Sequence, residues 1–128
     1  MPTEAELSIL NVLWEKGPST VRDVCDSLNQ IKKTGYTTVL KLLQIMNEKN
    51  LVSRDESNRT HVYTSNYSKQ KIQRRLVDDL LRKAFGGSPV HLENTLFENE
   101  ELSKPEFEKL RNEILVLRKK EYDHGKLD

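Results

Sequence analysis

Tyr36, Thr37, Thr38 and Lys41 are the residues whose types and spacing are best suited to chemistry, and the chemistry is recognition rather than catalysis. Two adjacent hydroxyls can bond base edges or phosphates, and a threonine methyl can touch the methyl of thymine. A lysine one turn further on reaches a guanine edge or a phosphate, and a tyrosine can lie along the sugar–phosphate backbone. Each also has a plainer role open to it: Thr37 as a helix cap, Thr38 in the packing of the domain, Tyr36 as a lid on a core. Lys33, Arg54, Arg59 and His61 form a second group of nucleic-acid candidates. Lys33 follows Lys32, and the pair serves either phosphate contact or only the solubility of a turn. Catalytic patterns are absent. His61, His91 and His124 are scattered, and none stands beside a Cys or carboxylate at a ligand spacing. Gly86-Gly87 lacks the Lys-Ser/Thr of a phosphate loop, and the acids from Glu98 to Glu101 read as a solvated face. The expectation is a protein that is not an enzyme, with no metal and no cofactor.

What must position the first group is a helix. From Tyr36 to Val52 the chain reads YTTVLKLLQIMNEKNLV. Val39, Leu42, Leu43 and Met46 fall at helical spacing on a core face. Thr37, Thr38, Lys41 and Gln44 are left on or beside the opposite face, with the hydroxyls at the N-terminal end that a helix-turn-helix protein places in the major groove. Two shorter helical patterns precede it. Thr3 and Glu6 form a capping box ahead of Leu7, Leu10, Val12, Leu13 and Trp14, and Gly17-Pro18 closes that helix. A second helix starts at Ser19-Thr20 and buries Val21, Val24, Cys25 and Leu28; Asn29 to Gly35 is a polar turn. After the third helix, Leu51–Arg54 and Thr60–Thr64 alternate as short strands around the turn Asp55–Asn58, with Val62 on one face and His61 and Tyr63 on the other. Three helices and a hairpin predict a winged helix-turn-helix whose wing is the Arg54–Arg59 turn. Asp55 and Glu56 stand next to Arg54, so the wing is expected to add phosphate contacts and little sequence readout.

The chain has 128 residues, enough for one ordinary domain or a small domain with an appendage. Its net charge of +1 gives nucleic-acid binding no support by itself. Residues 1–67 hold 8 Lys+Arg against 8 Asp+Glu, residues 68–85 hold 6 against 2, and residues 86–128 hold 7 against 10. The middle is therefore basic and the end acidic. A local basic face around the third helix and hairpin is compatible with the neutral total. The one cysteine, Cys25, cannot form an internal disulfide and reads as ordinary packing in a reducing compartment. With no signal segment and no long apolar run, the chain is expected to be soluble and cytoplasmic.

Beyond residue 67 the pattern is helical. Ser68 caps a helix striped by Ile72, Leu76, Leu80, Leu81 and Ala84, and Gly86-Gly87 stops it. Ser88-Pro89 restarts the chain toward Val90, Leu92, Leu96 and Phe97. Ser103 and Glu106 form a second capping box before Phe107, Leu110, Ile114 and Leu117. An appendage this short cannot bury such stripes alone. Either a second copy interlocks with it in a two-fold dimer, or the helices fold back on the winged domain; the spacing does not distinguish the two. The dimer is the more economical answer, with Ile72, Leu76, Leu80, Leu96, Phe97, Leu110, Ile114 and Leu117 as its candidate face. The fold class is thus mainly α with a small β-hairpin: a winged helix-turn-helix DNA-binding domain over 1–67 and a helical dimerisation region over 68–128.

The chain also resembles the penicillinase-repressor family (BlaI/MecI/CopY). The resemblance lies in Thr3-x-x-Glu6-x-x-Ile9-Leu10-x-x-Leu13-Trp14-Glu15, Thr20-Val-Arg-Asp-Val24, Tyr36-Thr-Thr-Val-Leu40, Met46-x-Glu-Lys-Asn-Leu-Val52 and His61-Val-Tyr63. Gly87-Ser88, Glu101-Leu-Ser103 and Glu106-x-x-x-Leu110-Arg111 continue it. Asn50 stands where the family typically has Gly, and Asn tolerates the left-handed conformation needed there. The resemblance implies a homodimeric repressor on an inverted-repeat operator of double-stranded DNA, released by proteolysis in its dimerisation region. The proteolysis would be triggered by a membrane sensor, a metalloprotease, that detects β-lactams, which places antibiotic resistance among the expected settings. The family's cleavage bond aligns near Thr95-Leu96, flanked by Asn94 and Phe97. The copper-responsive branch carries a C-terminal CxC motif, and this chain has no cysteine after Cys25.

The reading is a transcriptional repressor that presents Tyr36–Lys41 to the major groove of two half-sites spaced by whole helical turns. A winged-helix protein–protein module that does not bind DNA is the alternative. A repressor released by a small molecule bound between its domains is a third reading, although no sequence feature marks such a pocket.

Overall fold

Helix starts follow the caps written in the sequence. The Thr3 hydroxyl accepts from the Glu6 N–H at 3.2 Å, and the Glu6 carboxylate accepts from the Thr3 N–H at 2.8 Å. From this box α1 runs over Glu4–Lys16, ending at Gly17, whose φ of 81° suits a residue without Cβ. Thr20 and Asp23 make a second such box at the start of α2, Val21–Asn29. Helix α3, Tyr36–Glu48, begins after Gly35 with no side-chain cap. Asn50 then takes φ 63°, the left-handed turn expected of it, and leads the chain into the sheet. Ser68 accepts from the Lys71 N–H at 3.1 Å at the head of α4, Lys69–Ala84, and Ser88 with Pro89 opens α5, Pro89–Phe97.

The structure, a computed structural model, describes residues 1–98 and, beyond them, 105–106, 108–109, 111–113 and 116. Leu110, Ile114 and Leu117 of the expected dimer face, with Ser103 and Phe107, lie outside the described residues. The chain divides into two compact units, Met1–Asp79 and Leu80–Asp128, so the boundary falls within α4.

In the first unit the three helices converge on one core. Ile9, Leu10 and Leu13 of α1 pack with Val24 and Cys25 of α2 and with Val39, Leu43 and Met46 of α3. Leu42, expected on the same face of α3, is only half-buried. The expected hairpin is present as β2, Val52–Asp55, paired antiparallel with β3, Val62–Ser65. It is wider than the sequence indicated. Ser19–Thr20 forms a third strand, β1, which pairs antiparallel with β3, giving the order β1-β3-β2. Strand β3 is therefore central, and its inward side chain is Tyr63, 1% exposed, while Val62 is half-buried. Trp14 ties α1 to the end of this sheet: its indole N–H donates to Ser65 Oγ at 3.1 Å and to the Tyr67 carbonyl at 2.9 Å.

Ile72, a candidate for the dimer face, is only 5% exposed in the single chain and belongs to the first unit. Its side chain is already covered within the single chain. The second unit differs in texture: none of the residues of α5 is buried. Phe97 has the Arg111 guanidinium 5.2 Å from its ring centroid. Among the described residues, no helix is long and apolar enough to cross a membrane, and no cluster of His, Cys, Asp or Glu is placed to hold a metal ion.

Candidate nucleic-acid interface

The first turn of an α-helix carries N–H groups without intrahelical partners, and those donors attract anions. In α1 and α2 they are met from within the chain, because Glu6 and Asp23 occupy the third helical position and close the end. In α3 the same position is Thr38, the cap is Gly35, and no acidic residue lies in the first turn. Thr37, Thr38, Lys41 and Gln44 are all exposed. Thr37 makes no capping hydrogen bond, so of the two roles open to it the cap is not the one adopted. This end of α3 offers backbone donors, two hydroxyls and one ammonium to solvent, with no carboxylate in its own first turn.

The turn before α3 is fixed by polar groups that periodicity does not reveal. Asn29 Oδ1 accepts from the Thr34 N–H at 2.6 Å, and Asn29 Nδ2 donates to Cys25 Sγ at 3.4 Å. The Cys25 thiol donates to the Thr34 carbonyl at 3.5 Å. Cys25 is thus buried in a structural role, as expected of a lone thiol. Lys33 is exposed on this turn. At the other end of α3, the Lys49 ammonium lies 3.2 Å from both oxygens of Glu6, linking the C-terminus of α3 to the N-terminus of α1. Burial pushes the Glu6 carboxyl up, but hydrogen bonds from Thr3 and Lys49 and the charge of Lys49 outweigh it and hold the group below its ordinary value.

Tyr36 is 43% exposed and so does not lid the core. The guanidinium of Arg22, at the second position of α2, stands 5.0 Å from its ring centroid. This contact orients Tyr36 beside the start of α3 and puts a further cation there. Arg22 was missed in the sequence because nothing in its spacing ties it to Tyr36.

The hairpin candidates form a separate group. Arg59 and His61 are exposed at the turn and just before β3. Arg54 lies on β2, directly across from Tyr63 on β3. Its charged form is favoured by a hydrogen bond with the Tyr63 hydroxyl and next by its pairing with Glu56. Asp55 accepts from the Ser57 N–H at 2.9 Å, which holds its carboxyl below the usual range and keeps the turn partly anionic. Arg54 therefore braces the hairpin, and Arg59 is the cation that the turn presents outward.

Exposed donors at the start of the third helix and a hairpin beside it fit recognition. The family model described as penicillinase repressor matches residues 2–115. The chain belongs to the penicillinase repressor family. It is 26% identical over 116 residues to the penicillinase repressor of Staphylococcus aureus, covering 91% of this chain and 92% of that one. It is 25% identical over 118 residues to the methicillin resistance regulatory protein MecI of Staphylococcus aureus (strain N315), covering 92% and 94%. Among solved structures, a MarR family protein from Bacillus stearothermophilus shares the fold at a TM-score of 0.53 and 18% identity, over 94% of this chain and 76% of that one. Members of the penicillinase repressor family are transcriptional repressors and not enzymes. That agrees with a surface built from donors and cations.

Proposed function

We propose that this chain is a cytoplasmic transcriptional repressor that binds an inverted-repeat operator as a homodimer. The observation that carries the proposal is the uncapped, acid-free N-terminus of α3, with Thr37, Thr38 and Lys41 exposed on it. Phosphate oxygens would take the unpaired N–H groups, and the hydroxyls and Lys41 would face base edges. Arg22 with Tyr36, Lys33 and Arg59 would fix the register along the backbone.

The dimer is supported by apolar surface that one chain leaves uncovered. Leu80 is 45% exposed, and Leu96 and Phe97 are 36% and 37%. Leu76 is half-buried and joins them as a candidate, while Ile72 is already used within its own unit. Release would come from proteolysis at Asn94–Phe97, by a membrane sensor metalloprotease of the β-lactam-responsive kind. These residues are exposed in a helix with no buried residue, so opening it for a protease costs little packing. A cut there would turn one two-site binder into two one-site binders, and the lost avidity would free the operator.

The test is a gel-shift titration against the chain's own promoter at several salt concentrations. Binding that falls steeply as salt rises is the expected result. Binding that is absent at low salt would favour a winged-helix protein–protein module, which the neutral balance of residues 1–67 permits.

A further inference from the structure

The basic segment 68–85, with 6 Lys+Arg against 2 Asp+Glu, has no part in the recognition surface above. Two of its cations line a cleft of about 190 Å³ between the end of α3, the start of α4 and the first residues of the chain. We propose that this cleft binds a small carboxylate whose apolar body is about the size of one ring. The site does not depend on operator recognition.

Leu51, Tyr67 and Ile72 supply apolar and aromatic surface, joined by Met1 and Pro2. Ile72 is buried, whereas Lys71 and Arg75 are exposed. Lys49 also lines the cleft, but its charge is spent on Glu6. No carboxylate is among the lining residues, so Lys71 and Arg75 face the cleft without an acid across from them. Lys71 lies 5.3 Å from the Tyr67 ring centroid, which holds its ammonium over the aromatic surface. Arg75 has no ion pair or hydrogen bond among the described residues. A guanidinium fork takes a carboxylate through two parallel hydrogen bonds, and the neighbouring ammonium adds a point charge. The volume sits below the usual range of roughly 300–1,000 Å³ for drug-sized ligands, which selects a short chain or a single ring. The cleft also lies at the far end of α3 from the exposed hydroxyls, about 20 Å along a 13-residue helix, so DNA at that other end does not cover it.

Trp14, the chain's one tryptophan, gives a direct reading, because its indole donates to the carbonyl of Tyr67 in the cleft wall. The full chain is titrated with sodium benzoate while Trp14 emission and the methyl resonances of Leu51 and Ile72 are followed. The expected result is one saturable midpoint shared by all three. Lys71→Ala should weaken it by roughly tenfold, and Arg75→Ala, which removes two charge-assisted hydrogen bonds, by more than roughly tenfold. Benzamide, which lacks the charge, and acetate, which lacks the ring, should each bind at least roughly tenfold more weakly. The proposal is overturned if benzoate produces no saturable change, if benzamide matches it, or if the Leu51 and Ile72 methyls stay still. It is equally overturned if both variants, shown to be folded by their thermal transitions, bind benzoate as the parent does.

Discussion

Helices α1 and α3 are each 13 residues long and pack against the same core, yet their N-termini are built to opposite ends. In α1 a threonine and a glutamate close the first turn, and the glutamate goes on to hold Lys49 at the end of α3. In α3 glycine and threonine occupy the equivalent positions and nothing closes the turn. A capped end contributes stability to the chain that owns it. An end with glycine at the cap gives up only roughly a few tenths of a kcal/mol of that stability and keeps its donors for something outside. The same local chemistry is thus spent inward in one helix and held outward in the other.

The sharpest way to break this contrast is to close α3. A Cβ at Gly35 meets only Thr38 Oγ1, at an ordinary 3.9 Å, so Gly35→Ser with Thr38→Glu recreates the box of α1 without a clash. Operator affinity should fall by at least about a hundredfold, because a carboxylate then sits where phosphate is expected, while the melting temperature holds or rises. Opening α1 is the reverse experiment: Glu6→Ala should cost roughly 2–3 kcal/mol in urea denaturation, from the lost cap and the lost charged hydrogen bonds. Because the Glu6 carboxyl is held below its ordinary value, its contribution is present above the usual carboxylate range and lost as pH falls through the lower folded value. The stability gap between the parent and Glu6→Gln should therefore narrow in acid, and a gap that widens there would contradict the assignment. Lys41→Ala should weaken operator binding by about tenfold and relax the preference for the base it faces, leaving thermal stability unchanged. Arg22→Ala should act through Tyr36 and cost about threefold, in line with an exposed cation–π contact. Cys25→Ser is the smallest change, with operator affinity expected within about twofold, since the hydroxyl keeps a donor for the Thr34 carbonyl.

Much of the first unit was legible because its signals are local. The Thr3/Glu6 box, the apolar face of α3 and the left-handed turn at Asn50 all depend on neighbours within a few residues. The features that were not legible join distant residues. Ser19–Thr20 is too short for any alternation to register and becomes a strand only because β3 lies beside it. The pairing of Glu6 with Lys49 and the contact of Arg22 with Tyr36 are made by the fold and have no spacing rule. Asn29 looked like one polar residue in a polar turn, yet its amide holds both Cys25 and Thr34. In α4 the stripe from Ile72 to Leu80 is continuous in sequence but uneven in burial, since Ile72 is covered and Leu80 is 45% exposed. Periodicity identifies an apolar face and does not say which part of it is already occupied. At the candidate interface residue type and position pointed to Tyr36, Thr37, Thr38 and Lys41, all of them exposed, whereas the contact of Arg22 with Tyr36 needed the structure.

The indole of Trp14 reaches Ser65, 51 residues along the chain, and β1 pairs with β3 over a similar distance. Closing loops of that length carries an entropy cost that nearby contacts do not, so the helices can form before the sheet locks them together. A chain emerging from the ribosome has α1, α2 and α3 in hand before Tyr67 arrives to accept the second indole hydrogen bond. The angle at which α3 is presented is therefore expected to be settled late, and the burial of Trp14 marks the moment: stopped-flow refolding should show its emission changing after most of the helical signal has appeared.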